Sequence, residues 1–174
     1  MPTPVVAPRL RIAGIVAGIL VALVLLLLSH GFGRAVPTNN YRPLLTTDAI
    51  ATGCFPLPGD ARLDLAYQVR RDGDAGDRRR LEGQYDLVDR DEAQRRLVGS
   101  FTAVGFRAAG TEGDAVVLTK GSERVTVTVT ELPGTSADTL VRGTFVLDLP
   151  VVAVARPDDP LCRDPKSTKR WGKQ

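Results

Sequence analysis

Aspartates between positions 72 and 77 are the oxygen ligands in this chain that come closest to forming a cation site. Hard cations such as Ca²⁺ need clustered oxygens, and an EF-hand that began at Asp72 would require a glutamate at its twelfth position. Gly83 stands there instead, and the arginines at 78–80 would offset the negative charge. We therefore interpret 72–77 as a solvated hairpin turn, with weak cation binding as the alternative.

Acidic residues also cluster further along the chain, and paired carboxylates can hydrolyse glycosides when one of them has a raised pKa. The cluster has four members: Asp86, Asp89, Asp91 and Glu92. They stand where a helix is predicted to begin, so capping and compensation of the helix dipole explain them more simply. Asp64 and Asp148 stand on predicted strands, and their spacing gives no reason for them to meet.

Histidine is nearly absent, which restricts the catalytic chemistry open to the chain. The sole histidine, His30, lies outside the predicted domain, so no Ser-His-Asp or Cys-His arrangement can form within it. Ser100 and Ser122 do not lie in a G-x-S-x-G turn, and one histidine with two distant cysteines does not supply a zinc site. We predict a non-enzyme without catalytic residues, metal ligands or cofactor. An enzyme that uses Asp, Glu, Arg or Thr alone stays open as an alternative.

A long apolar segment near the N-terminus is the clearest feature of the sequence. Residues 12–28 include no charged or strongly polar side chain. As a helix they would extend over about 26 Å, close to the roughly 30 Å thickness of the hydrocarbon layer. We predict a transmembrane helix over 12–29, with the lipid bilayer as its partner, after a cytoplasmic tail over 1–11. A signal peptide cleaved after Ala35 and a lipoprotein anchored at Cys54 are the alternatives.

The orientation of this helix is not decided by flanking charge, because two arginines precede it and two follow it within 14 residues. A short tail before a first apolar segment normally stays in the cytoplasm, and both cysteines lie downstream. We predict a single-pass protein of the cell membrane with an extracytoplasmic domain. Gly14 and Gly18 form a GxxxG spacing, a possible helix–helix contact that predicts weak self-association.

The rest of the chain predicts a linker over 30–53, one α+β domain over 54–162 and a basic disordered tail over 163–174. Alternation of apolar and polar residues predicts about five strands of an antiparallel sheet with one buried face. The first two are marked by Leu63, Leu65, Tyr67 and Val69 and by Leu81, Gly83, Tyr85 and Leu87; the others span 115–120, 123–131 and 140–149. Val151–Val154 is a candidate for a further short edge strand.

One main helix over about 90–104 is predicted to cover the sheet. Asp89 followed by Glu92 is a variant of the capping box, in which each side chain bonds a free backbone N–H. Gly105 can accept the left-handed conformation that ends many helices. The apolar face has five members: Ala93, Leu97, Val98, Phe101 and Val104.

Cys54 and Cys162 are predicted to form a disulfide. They stand just before the first strand and after the last, and the ends of compact domains are often close together. Outside the membrane, thiols can oxidise and remain oxidised. Two separate thiols, or pairing between chains, are the alternatives.

Charge excludes nucleic acid as the expected partner. The whole chain has a net charge of +3, but residues 54–156 have 14 basic and 16 acidic side chains. The excess positive charge therefore lies at the ends. The sequence favours a membrane-anchored extracytoplasmic module without catalytic activity that binds or organises an envelope partner, such as an envelope protein. A tethered carrier of a small ligand or lipid is the alternative.

Overall fold

A computed structural model describes residues 8–29 and 48–170, with side chains placed for 14–27 and 48–170. These two stretches belong to separate compact units. Residues 1–7 of the expected cytoplasmic tail, most of the expected linker and the last four residues lie outside the described part of the chain.

The first unit contains one helix, α1 (Pro8–Ser29). Its residues are mostly Leu, Val, Ala and Ile, and its only proline stands at the first position, where no helical N–H is needed. All side chains placed in this helix are exposed, with Leu27 at 76%. Within the residues whose side chains the structure describes, no helix is both long enough and apolar enough to cross a bilayer.

The second unit is an α+β domain whose antiparallel sheet has six strands in the order β1-β2-β6-β5-β4-β3. The strands are β1 (Tyr67–Ala75), β2 (Arg78–Asp86), β3 (Arg107–Glu112), β4 (Ala115–Lys120), β5 (Glu123–Glu131) and β6 (Val141–Pro150). The sequence predicted about five. The additional strand is β3, whose Ala-Ala-Gly centre lacks the β-branched residues that mark β5.

Three details of the predicted strands need correction. Leu63 and Leu65 precede β1 and pack on the core from an irregular segment. Leu87 follows β2 in a left-handed conformation with φ 67° and is 65% exposed. Val151–Val154 forms no strand, because β2 begins at Arg78 opposite Pro150 and offers no backbone beyond it.

Helix α2 (Arg90–Thr102) confirms the predicted helix and ends two residues earlier than expected. The Asp89 carboxylate accepts a hydrogen bond from the backbone N–H of Glu92 at 2.7 Å, as the capping pattern predicted. The Glu92 carboxylate instead accepts hydrogen bonds from two arginines of the following turn, Arg95 and Arg96. These bonds lower the pKa of Glu92 below its usual range, with the Arg96 bond the larger cause.

The core lies between one face of the sheet and α2, which contacts β4 and β5. Phe101 projects from the helix into this core and meets Phe106 edge to face, with ring centroids 5.8 Å apart. Gly83 is required opposite Phe145, since a Cβ there would lie 2.3 Å from the Phe145 ring. The missing side chain lets that ring lie flat on the sheet.

The segment after β6 belongs to the fold. Helices α3 (Pro160–Arg163) and α4 (Pro165–Thr168) follow, and Thr168 is buried. Residues 163–170, expected in a disordered tail, therefore pack on the domain. Their polar composition favoured disorder, but the carboxylates of Asp159 and Asp164 cap the two helices by accepting from backbone N–H groups.

Replacing Phe101 by alanine should lower the free energy of unfolding by about 3–5 kcal/mol, because the ring is fully buried and its loss leaves a cavity. Urea unfolding followed by circular dichroism measures the change. Arg95→Ala is the control on the exposed face of the same helix and should change stability by less than about 1 kcal/mol. Equal losses in the two variants would contradict the assigned helix face.

Candidate binding surface

One face of the sheet is left uncovered by the described residues. Along β2, β5 and β6, alternate residues point away from α2, as the period of two requires. Their side chains are half-buried among cross-strand neighbours: Glu82, Gln84, Thr126, Thr128, Thr144 and Val146. This set, which we call the open face, combines hydroxyl, amide and carboxylate groups with a single valine.

A groove of about 370 Å³ lies at one end of the open face. It is lined by Arg78, Glu112, Arg124, Thr126 and Asp148. Arg78 donates to the Asp148 carboxylate at 2.5 Å and to the backbone carbonyl of Arg124 at 2.7 Å. Arg124 donates to Glu112 at 2.5 Å. Charge in the groove is therefore balanced, and the walls present both donors and acceptors to a polar ligand.

A second groove, of about 330 Å³, lies on the other side of the sheet beside α2. It is lined by Asp91, Gln94, Arg95, Val98 and Val116. Val98 and Val116 are the half-buried apolar residues of this site. The groove offers a small apolar floor with polar walls, which suits a small ligand better than a flat polymer.

A buried ion pair holds the first hairpin to the segment that precedes it. Arg79 and Asp72 are both fully buried, and the guanidinium donates to both carboxylate oxygens, at 2.8 and 2.6 Å. Arg79 also donates to the backbone carbonyls of Phe55 and Pro56 at 3.0 and 2.9 Å. Four hydrogen bonds thus offset the cost of removing the arginine from water.

Arg170 extends this pair toward the C-terminus. Its guanidinium donates to Asp72 at 2.9 Å and to Asp74 at 2.5 Å, and lies 4.1 Å from the centre of the Phe55 ring. The backbone at Asp72 forms a parallel bridge with Arg170. We call the group formed by Phe55, Asp72, Asp74, Arg79 and Arg170 the ionic clasp.

The predicted disulfide between Cys54 and Cys162 is confirmed, and Cys54 directly precedes Phe55 of the ionic clasp. Its Cα atoms are 5.2 Å apart, across 108 positions of the chain. Two backbone contacts support it, since Ala155 donates to the Cys54 carbonyl at 2.8 Å and Ala49 donates to the Thr168 carbonyl at 3.2 Å. Covalent and ionic links therefore join the two ends of the described domain.

The acidic residues singled out in the sequence do not converge on one site. Asp72 and Asp74 enter the ionic clasp, not a solvated turn, and Asp89 caps α2. The backbone N–H of Asp64 donates to the Ser100 hydroxyl, whereas Asp148 lines the first groove. Among the described residues, no group of three His, Cys, Asp or Glu side chains could hold a metal ion.

The helix–helix contact at Gly14 and Gly18 stays a prediction. A Cβ added to either glycine would meet no atom within 4 Å. His30 lies outside the described residues.

The ionic clasp was missed from the sequence, although Arg79 shares its strand face with Leu81, Gly83 and Tyr85. A charged residue at an inward position of an alternating strand is the signal that would have found it.

Tyr85 is fully buried, and its hydroxyl has no hydrogen-bond partner among the described residues. Burial, followed by the negative charge of Glu131, raises the pKa of Tyr85 to about 12. The ring lies against Gly143, where a Cβ would come within 2.3 Å of the hydroxyl oxygen. This hydroxyl is enclosed by the core and has no access to a substrate.

Comparisons with known proteins returned no match to a protein-family model, to a curated protein or to a solved structure.

Arg79→Met should lower the free energy of unfolding by about 3–5 kcal/mol, because Asp72 would remain buried without its main partner. Chemical denaturation of the oxidised protein measures this. Arg80→Met is the matched control, since the Arg80 side chain is 57% exposed and pairs with Glu82 at the surface. A loss below about 1 kcal/mol for Arg79→Met would contradict the structural role of the clasp.

Tyr85→Phe should leave stability at pH 7 unchanged or raise it by up to about 1 kcal/mol, because an unpartnered buried hydroxyl is removed. The folded pKa lies above the ordinary value near 10, so the unfolded chain releases this proton first. The stability of the parent protein should therefore fall between pH 10 and 12, and less so in the variant. Identical slopes in denaturation curves over this range would contradict the assignment.

Proposed function

We propose that this chain is a membrane-anchored extracytoplasmic module without catalytic activity, which binds or organises a partner in the cell envelope through the open face. The observation that carries the proposal is the half-buried polar surface across β2, β5 and β6, with a charge-balanced groove at one end. Surfaces built on strands hold their side chains in fixed positions, which favours recognition of a defined partner.

The proposed anchor is α1, assigned to the membrane over residues 12–29. Its support is the uncharged sequence over 12–28 and the exposure of large apolar side chains such as Leu26 and Leu27. Exposed apolar side chains on every side of a helix are costly in water and favourable in lipid. Anchoring would hold the domain near other envelope components.

The proposed extracytoplasmic location rests on the disulfide. Structural disulfides persist in oxidising compartments and are rare in the cytosol. The Cys54–Cys162 disulfide joins the ends of the domain, so its formation stabilises the fold as a whole. The short tail before α1 would then lie in the cytoplasm.

A small-ligand or lipid carrier is the second candidate. The groove beside α2 favours it, because Val98 and Val116 provide an apolar floor of a size suited to part of a small molecule. In that case the ligand would lie on the helix side of the sheet, opposite the open face.

Two arginine substitutions distinguish these candidates in the tagged full chain, purified with detergent from its native membrane. Thr126→Arg would fill the groove on the open face, and Gln94→Arg would fill the groove beside α2. We expect Thr126→Arg to reduce recovery of a co-purifying envelope component at least about tenfold, while Gln94→Arg retains it. Loss only in Gln94→Arg, together with loss of a bound lipid, would favour the carrier. Equal melting temperatures would exclude unfolding as the cause.

Protease treatment of intact spheroplasts tests the location separately. We expect the protease to remove the domain without lysis of the spheroplasts. Protease fragments that the disulfide links should stay joined until it is reduced. Digestion only after lysis would contradict the proposed orientation. A mature protein that begins near Val36 would replace the anchor by a cleaved signal.

A further inference from the structure

The two edges of the sheet differ in how their backbone is covered. At β1, the N–H of Asp72 donates to the Lys169 carbonyl at 3.2 Å, and the Lys169 ammonium donates to the Val69 carbonyl at 2.9 Å. The segment around Arg170 thus shields this edge. At β3, no described residue outside the hairpin with β4 hydrogen-bonds to the backbone of the strand. One edge is closed and the other is open to another strand.

Strand β3 has a composition that permits close approach. All six of its residues are exposed, and the four central ones are small: Ala108, Ala109, Gly110 and Thr111. Arg107 and Glu112 stand at its two ends. An exposed edge with small side chains is a template for pairing with a further strand.

We propose that β3 pairs antiparallel with β3 of a second copy of this chain. The sequence Arg-Ala-Ala-Gly-Thr-Glu is complementary to itself in this direction, because a two-fold axis between Ala109 and Gly110 puts Arg107 of each copy opposite Glu112 of the other. Antiparallel pairing therefore brings two pairs of opposite charge together. Parallel pairing in register would put like charges side by side.

The faces of the two strands also match. Arg107 and Glu112 are opposite Thr119 and Ala115 of β4, which lie on one face of that strand. Ala108 and Thr111 are opposite residues of the other face, Leu118 and Val116. A two-fold axis normal to the sheet keeps each face continuous, so the charged pairs would form on the same side in both copies.

The charges at the ends of β3 are available for this contact. Arg107 has no ion-pair partner among the described residues. One carboxylate oxygen of Glu112 accepts from Arg124, and the other oxygen can accept from Arg107 of the second copy. The product is a continuous sheet of twelve strands with a closed edge at each end.

A bulge limits the strength of the contact. The register of β3 against β4 shifts between Ala108 and Gly110, which leaves Ala109 as the extra residue. Bulges interrupt the regular ladder and twist an edge strand. The pairing is therefore reversible, and it depends on the local concentration of the chain.

Charge reversal in two separate chains tests the pairing. Arg107→Glu and Glu112→Lys each place two like-charge contacts in a homodimer, whereas a mixture of the two variants restores two opposite-charge pairs. In detergent-solubilised full chain followed by fluorescence energy transfer, each variant alone should raise the dimer dissociation constant about tenfold or more. The mixture should return it close to the parent value. Arg62→Glu, an exposed change outside the strands of the sheet, is the control and should have no effect.

Cysteine cross-linking gives a readout of register. Ala108→Cys/Thr111→Cys should yield a covalent dimer on a non-reducing gel, because these residues face each other across the axis. Arg70→Cys/Arg71→Cys on the closed edge should not. Unchanged association in both charge variants would overturn the proposal, as would a dimer lost only in Gly14→Ile/Gly18→Ile, which assigns association to α1. A monomer at every concentration tested would overturn it as well.

Discussion

The buried pair between Arg79 and Asp72 is the interaction on which the arrangement of the domain depends. Burial of two charges costs several kcal/mol per ion unless hydrogen bonds satisfy them. Here the guanidinium bonds both the carboxylate of β1 and the carbonyls of the segment before the 3₁₀ turn at Pro58–Asp60, and Arg170 bonds the same carboxylate. Three distant parts of the chain therefore satisfy one pair of charges, and moving any of them away removes hydrogen bonds from a buried charge.

The sheet is one strand layer thick, and its two faces differ in chemistry. The face toward α2 contains aromatic rings that lie flat because glycines stand opposite them, Gly83 below Phe145 and Gly143 below Tyr85. The other face contains threonines and balanced charges. Packing against α2 and the core constrains the residues of the first face, whereas the second face has no such constraint, which is why the proposed binding surface lies there.

Periodicity was sufficient to predict most of the secondary structure, because β5, β6 and α2 bury one face each and their side chains alternate accordingly. The cap at Asp89 and the disulfide also followed from local chemistry and compartment. Strand β3 escaped because all six of its residues are exposed, so it has no apolar alternation to detect. The ionic clasp escaped because Arg170 stands 98 positions from Asp72, and pairing at that distance is set by topology. The open face could not be predicted from the sequence, because the register of three strands brings its members together.

The position of the disulfide has a mechanical consequence. Tension applied between residues 48 and 170 would be transmitted across the sulfur–sulfur bond, because Cys54 and Cys162 enclose everything between them in a covalent loop. Only the short flanking segments could then be extended. Once the contacts of Lys169 and Arg170 with β1 break, the six strands and α2 would bear no load while the disulfide is intact, so an oxidised domain pulled from both ends would keep its sheet folded. A reduced domain would transmit the load to the strands.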